Sequence, residues 1–105
     1  MLRPKAIGQV HRTIGGVSIL PMKITLKLFA TLTDYLPLES RYSNVVKLDL
    51  ALGTRIGQVI EQYRLPEKLV HLVLVNGIYI APEQRATQTL SEGDVLAIWP
   101  PIAGG

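Results

Sequence analysis

Two segments of the chain alternate between apolar and polar residues, as half-buried strands do. Ile24, Leu26 and Leu28 alternate with polar residues within 23–29, and residues 45–50 repeat this pattern. Successive side chains of a strand point to opposite faces, so a period of two places the apolar residues on one face. The alternation therefore predicts two strands that each turn one face toward a core.

The segment after Gly53 has the spacing of an amphipathic helix. Its apolar residues follow the order i, i+3, i+4 and i+7: Ile56, Val59, Ile60 and Tyr63. This spacing places them on one stripe of a helix. Thr54 is the candidate N-cap, and Leu65-Pro66 is expected to end the helix. Gly57 lies inside it, at a cost of about 1 kcal/mol relative to alanine.

The rest of the pattern predicts short elements joined by turns. They are a helical turn at 32–37, a loop at 39–44, strands at 71–75, 78–80 and 95–99, a type I′ turn at Asn76-Gly77 and a turn at 91–94. The order is strand, strand, helix, strand, strand, strand. One amphipathic helix can cover one face of a four- or five-stranded sheet, so the fold class is α+β in two layers.

Composition limits the chemistry that the chain can perform. Its 105 residues, 48% apolar and 18% charged, are typical of one globular domain. With no cysteine, disulfides, thiolate metal sites and cysteine catalysis are excluded. With only two histidines, a histidine-rich metal site is excluded as well. We therefore expect no metal site.

The net charge of +3 lies entirely at the N-terminus of the chain. Residues 1–21 carry three basic residues and no acid, while residues 22–105 carry eight basic and eight acidic residues. A neutral domain lacks the basic surface that binds a phosphate backbone, so no nucleic-acid partner is expected. No apolar run approaches the roughly 20 residues that a membrane span needs, so no membrane partner is expected either.

A change of composition at Pro21-Met22 separates two segments. Residues 1–21 are an N-terminal extension with three interpretations: residues upstream of a true start at Met22, an arm in which 17–20 pair as a short strand, or a targeting segment. The last lacks an amphipathic helix and an apolar region. Residues 22–105 form the domain, with a flexible tail at 100–105. The absence of cysteine and of a clear signal favours the cytoplasm.

The chain ends in a thin tail whose one reactive group is its terminal carboxylate. Pro100 and Pro101 stop the last strand because proline cannot donate to a ladder. The tail continues with Ile102, Ala103, Gly104 and Gly105. Glycine has no Cβ, so such a tail can enter a narrow channel. The α-carboxylate of Gly105 is ionised at neutral pH and is a poor electrophile until it is adenylated.

Five segments carry a resemblance to a known family. They are 27–30 (KLFA), 36–37 (LP), 74–77 (LVNG), 90–95 (LSEGDV) and 100–105 (PPIAGG). Through them, residues 22–105 resemble the ubiquitin-like sulfur carriers, the family of the molybdopterin synthase small subunit (MoaD) and the thiamin sulfur carrier (ThiS). The terminal PPIAGG after a strand ending in Trp99 resembles the molybdopterin branch more than the thiamin branch.

The resemblance implies a ubiquitin-like β-grasp fold, a mixed sheet of four to five strands covered by one main helix. It implies that an E1-like adenylating enzyme (MoeB/ThiF type) activates Gly105 with ATP, and that a persulfide sulfur donor then displaces AMP to leave a thiocarboxylate. Residues 100–105 would then enter the large molybdopterin synthase subunit (MoaE type) or a thiazole synthase. The chain would bind no cofactor and would be no enzyme by itself.

Aromatic and apolar residues near the tail are candidates for a partner-binding surface. Phe29 and Trp99 lie on the sides of their strands opposite the predicted core residues. Val73 and Val75 are assigned to the same surface. A contiguous apolar patch at the base of the tail would mark an interface. Arg85 is expected to be a solvated surface charge.

Other functions share the same features. A ubiquitin-like modifier would join Gly105 to lysines of other proteins through the same adenylation. Within the sulfur carriers, molybdenum-, tungsten- and thiamin-related pathways stay possible. A passive β-grasp interaction module with an incidental tail is the third class.

Overall fold

Seven strands and two α-helices occur in the part of the chain that the computed structural model describes, residues 12–14, 17–19 and 21–102. The strands are β1 (Arg12–Ile14), β2 (Val17–Ile19), β3 (Met22–Leu28), β4 (Val45–Leu50), β5 (Leu72–Val75), β6 (Ile78–Tyr79) and β7 (Val95–Trp99). The helices are α1 (Leu38–Arg41) and α2 (Ile56–Gln62), with short 3-10 helices at Ala30–Tyr35, Glu67–Leu69 and Pro82–Gln84.

The last five strands form one mixed sheet in the order β4-β3-β7-β5-β6. Its central neighbours β3 and β7 are parallel, with Leu28 opposite Ile98. Every other neighbouring pair in this sheet is antiparallel. Parallel strands need a crossover connection, and the chain between β3 and β7, including α2, supplies it. The predicted α+β β-grasp architecture is confirmed.

One face of this sheet carries the hydrophobic core. On this face, the buried side chains of the strands are Met22, Ile24, Leu26, Leu28, Leu48, Leu50, Val73, Val75, Leu96 and Ile98. Ile56 and Val59 of α2 are fully buried in the same cluster, and Ile60 and Tyr63 pack against it. Each fully buried aliphatic side chain contributes about 1.5–3 kcal/mol, so this face holds the two layers together. The described helices include none that could cross a membrane.

Strands β1 and β2 form a separate antiparallel pair, with Arg12 opposite Ile19. This pairing agrees with the interpretation in which the end of the extension forms a short strand. Residues 1–11 lie outside the described residues. The division of the chain into 1–21 and 22–105 therefore stays a prediction.

The connection from β3 to β4 contains more helix than expected. The predicted helical turn at 32–37 begins earlier, as the 3-10 helix Ala30–Tyr35. The predicted loop at 39–44 is partly wrong, because its first residues form α1. Pro37 precedes α1 and its carbonyl accepts the Ser40 N–H at 2.8 Å. A four-residue helix is too short to show a periodic pattern, which explains why the sequence did not predict it.

Helix α2 is displaced from its predicted ends. Arg55, not Thr54, is the N-cap, because a β-bridge between Arg55 and Thr89 holds Arg55 extended. Thr54 instead donates its hydroxyl to the Ala51 carbonyl at 2.7 Å. The helix ends at Gln62, before the predicted Leu65-Pro66.

The turn between β5 and β6 follows the prediction. Asn76 and Gly77 both have positive φ, 53° and 83°, as the type I′ turn requires. Asn76 also stabilises the neighbouring turn that precedes β7. Its side-chain Oδ1 accepts the Val95 N–H at 2.9 Å, and its Nδ2 donates to Asp94 at 2.8 Å.

Candidate docking surface at the base of the tail

The tail begins where β7 ends, at Trp99. Pro100 is half-buried, Pro101 is exposed, and Ile102 is 82% exposed. Ala103, Gly104 and Gly105 lie outside the described residues, so their assigned roles in activation and insertion stay predictions. Ile102 has no part in the core, which fits a tail that leaves the domain.

Backbone hydrogen bonds hold both sides of the last residues of β7. The Phe29 N–H donates to the Ile98 carbonyl at 3.2 Å, and the His71 N–H donates to the Trp99 carbonyl at 3.0 Å. Beyond Trp99, Pro100 has no N–H to continue the ladder. The base of the tail is therefore fixed, and the strand ends at Trp99.

The rings of Phe29 and Trp99 stack directly at this base. Their centroids are 4.1 Å apart and their planes differ by 2°. Both side chains are half-buried. Such aromatic pairs contribute about 0.5–1.5 kcal/mol beyond the area that they bury. The structure therefore brings together the two aromatic residues that the sequence placed on the partner-binding surface.

Apolar residues of β5 and β7 extend this pair across the outer face of the sheet, away from α2. Leu72 pairs with Trp99, and Leu74 pairs with Ala97, in the antiparallel register of these strands. We call the set Phe29, Leu72, Leu74, Ala97 and Trp99 the outer-face patch. Its members are half-buried, apart from Ala97 at 8% exposure. Exposed apolar surface of this kind is typical of protein interfaces.

The assignment of Val73 and Val75 to the partner-binding surface is wrong. Their side chains are 0% and 7% exposed, and they belong to the core on the α2 side of the sheet. Strand β5 is apolar on both faces, so alternation could not tell one face from the other. Only its register with β7 decides this, and that register turns Leu72 and Leu74 outward instead.

One ion pair on the outer face lies at the end of β3 far from Phe29, whereas Lys27 lies on this face opposite Ala97. Lys23 forms an ion pair with Asp49 at 2.6 Å, and both side chains are exposed. The hydrogen bond that Lys23 donates to Asp49, followed by the negative charge of Asp49, raises the pKa of Lys23 above its ordinary value of 10.5. Near the core, partial burial raises the pKa of Tyr63 above 10.0. Neither group lies on the outer-face patch, whose apolar side chains are bordered by Lys27.

Within residues 21–102, no cluster of three or more histidine, cysteine, aspartate or glutamate residues could hold a metal ion. The candidate site therefore offers the outer-face patch beside the point where the tail begins. Such an arrangement can dock a partner and present the tail to it.

Comparison with protein families identifies the domain. Residues 26–105 match the ThiS family. The chain belongs to the ThiS family. The match includes the whole tail and every residue of the outer-face patch. A search of curated protein sequences gives no significant match.

Solved structures share the fold of this ThiS-family chain. The HVO 2177 protein of Haloferax volcanii is 22% identical, with a TM-score of 0.62 over 81% of this chain and 88% of that chain. SAMP1 of the same organism is 24% identical, with a TM-score of 0.56 over 79% of this chain and 99% of that chain. A Pyrococcus furiosus protein assigned as molybdopterin converting factor, subunit 1, is 21% identical, with a TM-score of 0.55 over 77% and 99%.

Membership in the family makes this chain a ubiquitin-like sulfur carrier of the ThiS type. Members of the family are generally non-catalytic, and the family implies an E1-like activating enzyme as a partner. At 21–24% identity, these solved structures show only that the fold is shared.

Proposed function

We propose that this protein carries sulfur as a thiocarboxylate on Gly105 and donates it in molybdopterin synthesis, as the small subunit of molybdopterin synthase. The observation that carries the proposal is the fixed base of the tail. Trp99 is held by the His71 N–H at 3.0 Å and by the stacked ring of Phe29, and the chain continues beyond it to a terminal Gly-Gly.

The chemistry begins at the terminal carboxylate. A carboxylate oxygen of Gly105 attacks the α-phosphorus of ATP, and pyrophosphate leaves. A persulfide sulfur then attacks the acyl carbon, and AMP leaves. A thiol cleaves the new S–S bond and is oxidised to a disulfide, which releases the thiocarboxylate. The thiocarboxylate is a good nucleophile at neutral pH and attacks an activated carbon of the pterin precursor.

The length of the tail sets how deep a partner's active site can lie. Six residues follow Trp99. At most about 3.5 Å per residue, they reach about 20 Å from the end of β7. A partner that docks on the outer-face patch would therefore receive the sulfur within that distance. The two prolines favour an extended start, and the small residues after Ile102 let the tail enter a narrow channel.

The test is intact mass spectrometry of the full chain purified from its native cell. The expected species is heavier by the difference between one sulfur and one oxygen atom, with the change mapped to Gly105. Reconstitution with a large molybdopterin synthase subunit and the pterin precursor should then form product, and a variant lacking Gly105 should form none. Formation of product by that variant would overturn the proposal.

Two other functions follow from specific similarities. The family match is to ThiS, which supports a carrier for thiamin thiazole synthesis. The fold shared with SAMP1, named a small archaeal modifier protein, supports conjugation of Gly105 to lysines. Sulfur transfer to a thiazole synthase, but not to a molybdopterin synthase, would favour the first. Branched peptides that carry the tail on another protein's lysine would favour the second.

A further inference from the structure

In the described part of the chain, the buried guanidinium of Arg85 has no carboxylate to pair with. The residue is 9% exposed, so the expectation of a solvated surface charge is wrong. Its Nε and Nη2 donate to the Ile80 carbonyl at 3.3 and 3.2 Å. Its Nη1 donates to the Val70 carbonyl at 3.2 Å, and Nη2 also donates to that of His71 at 3.1 Å. No acidic residue of the described chain forms an ion pair with it.

These contacts leave the guanidinium incompletely satisfied. It has five N–H groups, and the four hydrogen bonds account for all but one N–H of Nη1. Carbonyl dipoles balance a full positive charge only in part. A buried charge is costly unless it is paired and hydrogen-bonded. Arg85 can therefore donate a further hydrogen bond to an anion and balance its charge.

A cleft of about 270 Å³ lies beside Arg85. Ile60, Leu65 and Pro82 give the cleft apolar walls, and Glu67 lines it as well. Small-molecule sites usually occupy roughly 300–1,000 Å³, so this cleft is better suited to a group the size of a side chain. Glu67 would repel a multiply charged anion such as a phosphate more strongly than a single carboxylate.

We propose that this cleft binds the side-chain carboxylate of a glutamate or aspartate from a partner protein, with Arg85 as its counter-ion. The free N–H of Nη1 can donate to one carboxylate oxygen, and the apolar walls can contact the methylene groups that carry it. Two hydrogen bonds through His71 connect Arg85 to the base of the tail. His71, whose carbonyl accepts from Arg85, donates its N–H to the Trp99 carbonyl at 3.0 Å.

The binding of a carboxylate is tested first with a small probe on the full chain. Sodium 3-methylbutanoate is titrated into isotope-labelled protein, and NMR follows the amide signals of Gly57 and Ala86 and the Nε–H signal of Arg85. We expect saturable shifts with the acid and none with the matched neutral 3-methylbutanamide. Equal shifts with the amide, or shifts that never saturate, would overturn the proposal.

Two variants distinguish the contribution of the Arg85 charge to binding from that of the shape of the cleft. Arg85→Met removes the charge, and we expect binding of the acid to fall at least tenfold. Because this change also frees three backbone carbonyls, it can unfold the protein, so Ala86→Leu is the second variant. It narrows the cleft at an exposed residue and leaves the guanidinium in place. Undiminished binding by Ala86→Leu would contradict the assignment. Glu67→Gln should tighten binding several-fold.

A comparison between a peptide and the free acid tests whether the carboxylate comes from a protein. Acetyl-Leu-Glu-Leu-amide should bind at least tenfold more tightly than free 3-methylbutanoate, and its Gln counterpart should not bind. Tighter binding of the free acid than of the peptide would assign the cleft to a small-molecule carboxylate and overturn the protein source. These outcomes do not depend on the fate of Gly105, so the proposed sulfur transfer can fail independently.

Discussion

The indole of Trp99 lies flat against the ring of Phe29, with centroids 4.1 Å apart and planes within 2°. Trp99 is the last residue of β7, and Phe29 is the first residue after the parallel strand β3. The stack therefore joins the ends of the two central strands at the point where the tail leaves the sheet. It can set the direction of the tail and contribute to a docking surface at once.

We expect Phe29→Ala to weaken both the fold and partner binding. Loss of the stack and of half-buried area should lower the free energy of unfolding by about 1–3 kcal/mol. Affinity for the partner that accepts the tail should fall at least tenfold. Denaturant titration and calorimetric binding measure the two effects. Leu52→Ala is the matched control, because Leu52 is 61% exposed and lies outside the outer-face patch. Equal affinities of the two variants would contradict a docking role.

At Asn76, the contribution of the side-chain hydrogen bonds to stability can be separated from that of the backbone conformation. Asn76→Ala removes both side-chain hydrogen bonds and places alanine, which tolerates positive φ less well than asparagine, at φ 53°. We expect a loss of about 2–3 kcal/mol. Asn76→Gly removes the same hydrogen bonds but should lose less, because glycine adopts positive φ without strain. Urea denaturation compares the two. A greater loss for glycine than for alanine would argue against backbone strain.

Gly57 should resist replacement although it lies in a helix. Its N–H donates to the Arg85 carbonyl at 2.7 Å, and a Cβ added at Gly57 would lie 3.1 Å from that oxygen. The hydrogen bonds of the Arg85 side chain hold this segment, so the oxygen cannot easily move away. We expect Gly57→Ala to destabilise by about 1 kcal/mol, against the stabilisation that alanine usually gives. Thermal denaturation checks the sign, with the exposed Glu61→Ala as control.

Stability should decline at alkaline pH in part through Tyr63. Burial raises the pKa of Tyr63 above 10.0, so the folded state keeps a proton that the unfolded state releases. This contribution is present below pH 10.0 and is lost as the pH rises toward the folded-state pKa. Tyr63→Phe should flatten that part of the decline. The raised pKa of Lys23 acts in the same direction and remains in the variant.

Urea titrations from neutral pH to above pH 10 measure how the free energy of unfolding declines with pH. Tyr42→Phe is the control, since Tyr42 is fully exposed. If the free energy of unfolding of Tyr63→Phe declined with pH as steeply as that of the unchanged protein, Tyr63 would not be a cause of the decline.

One alanine added after Gly105 should abolish activation. The proposed reaction needs a free carboxylate at a fixed depth, and the addition moves it about 3.5 Å further from Trp99. Pyrophosphate release in the presence of the activating enzyme and ATP measures the step. The variant with Gly105→Ala keeps the length of the tail and should retain more activity than the extended chain. Full activation of the extended chain would show that depth does not matter.

The sequence alone determined the sheet, the helix and the tail. Alternation in β3 and β4 predicted strands with the observed core faces, because one face of each is polar. The helical stripe around Ile56 and the Asn76-Gly77 turn depend on local geometry and were predicted as well. The terminal PPIAGG, with the segments before it, led to the family that residues 26–105 match.

Tertiary structure decided what local patterns could not. β5 is apolar on both faces, so only its register with β7 turned Leu72 outward and buried Val73. The β-bridge from Arg55 to Thr89 moved the start of α2. Arg85 lies among charged and polar neighbours in the chain, and only the carbonyls of Val70, His71 and Ile80 explain its burial. These outcomes depend on residues distant in sequence, which meet only when the sheet and its connections are assembled.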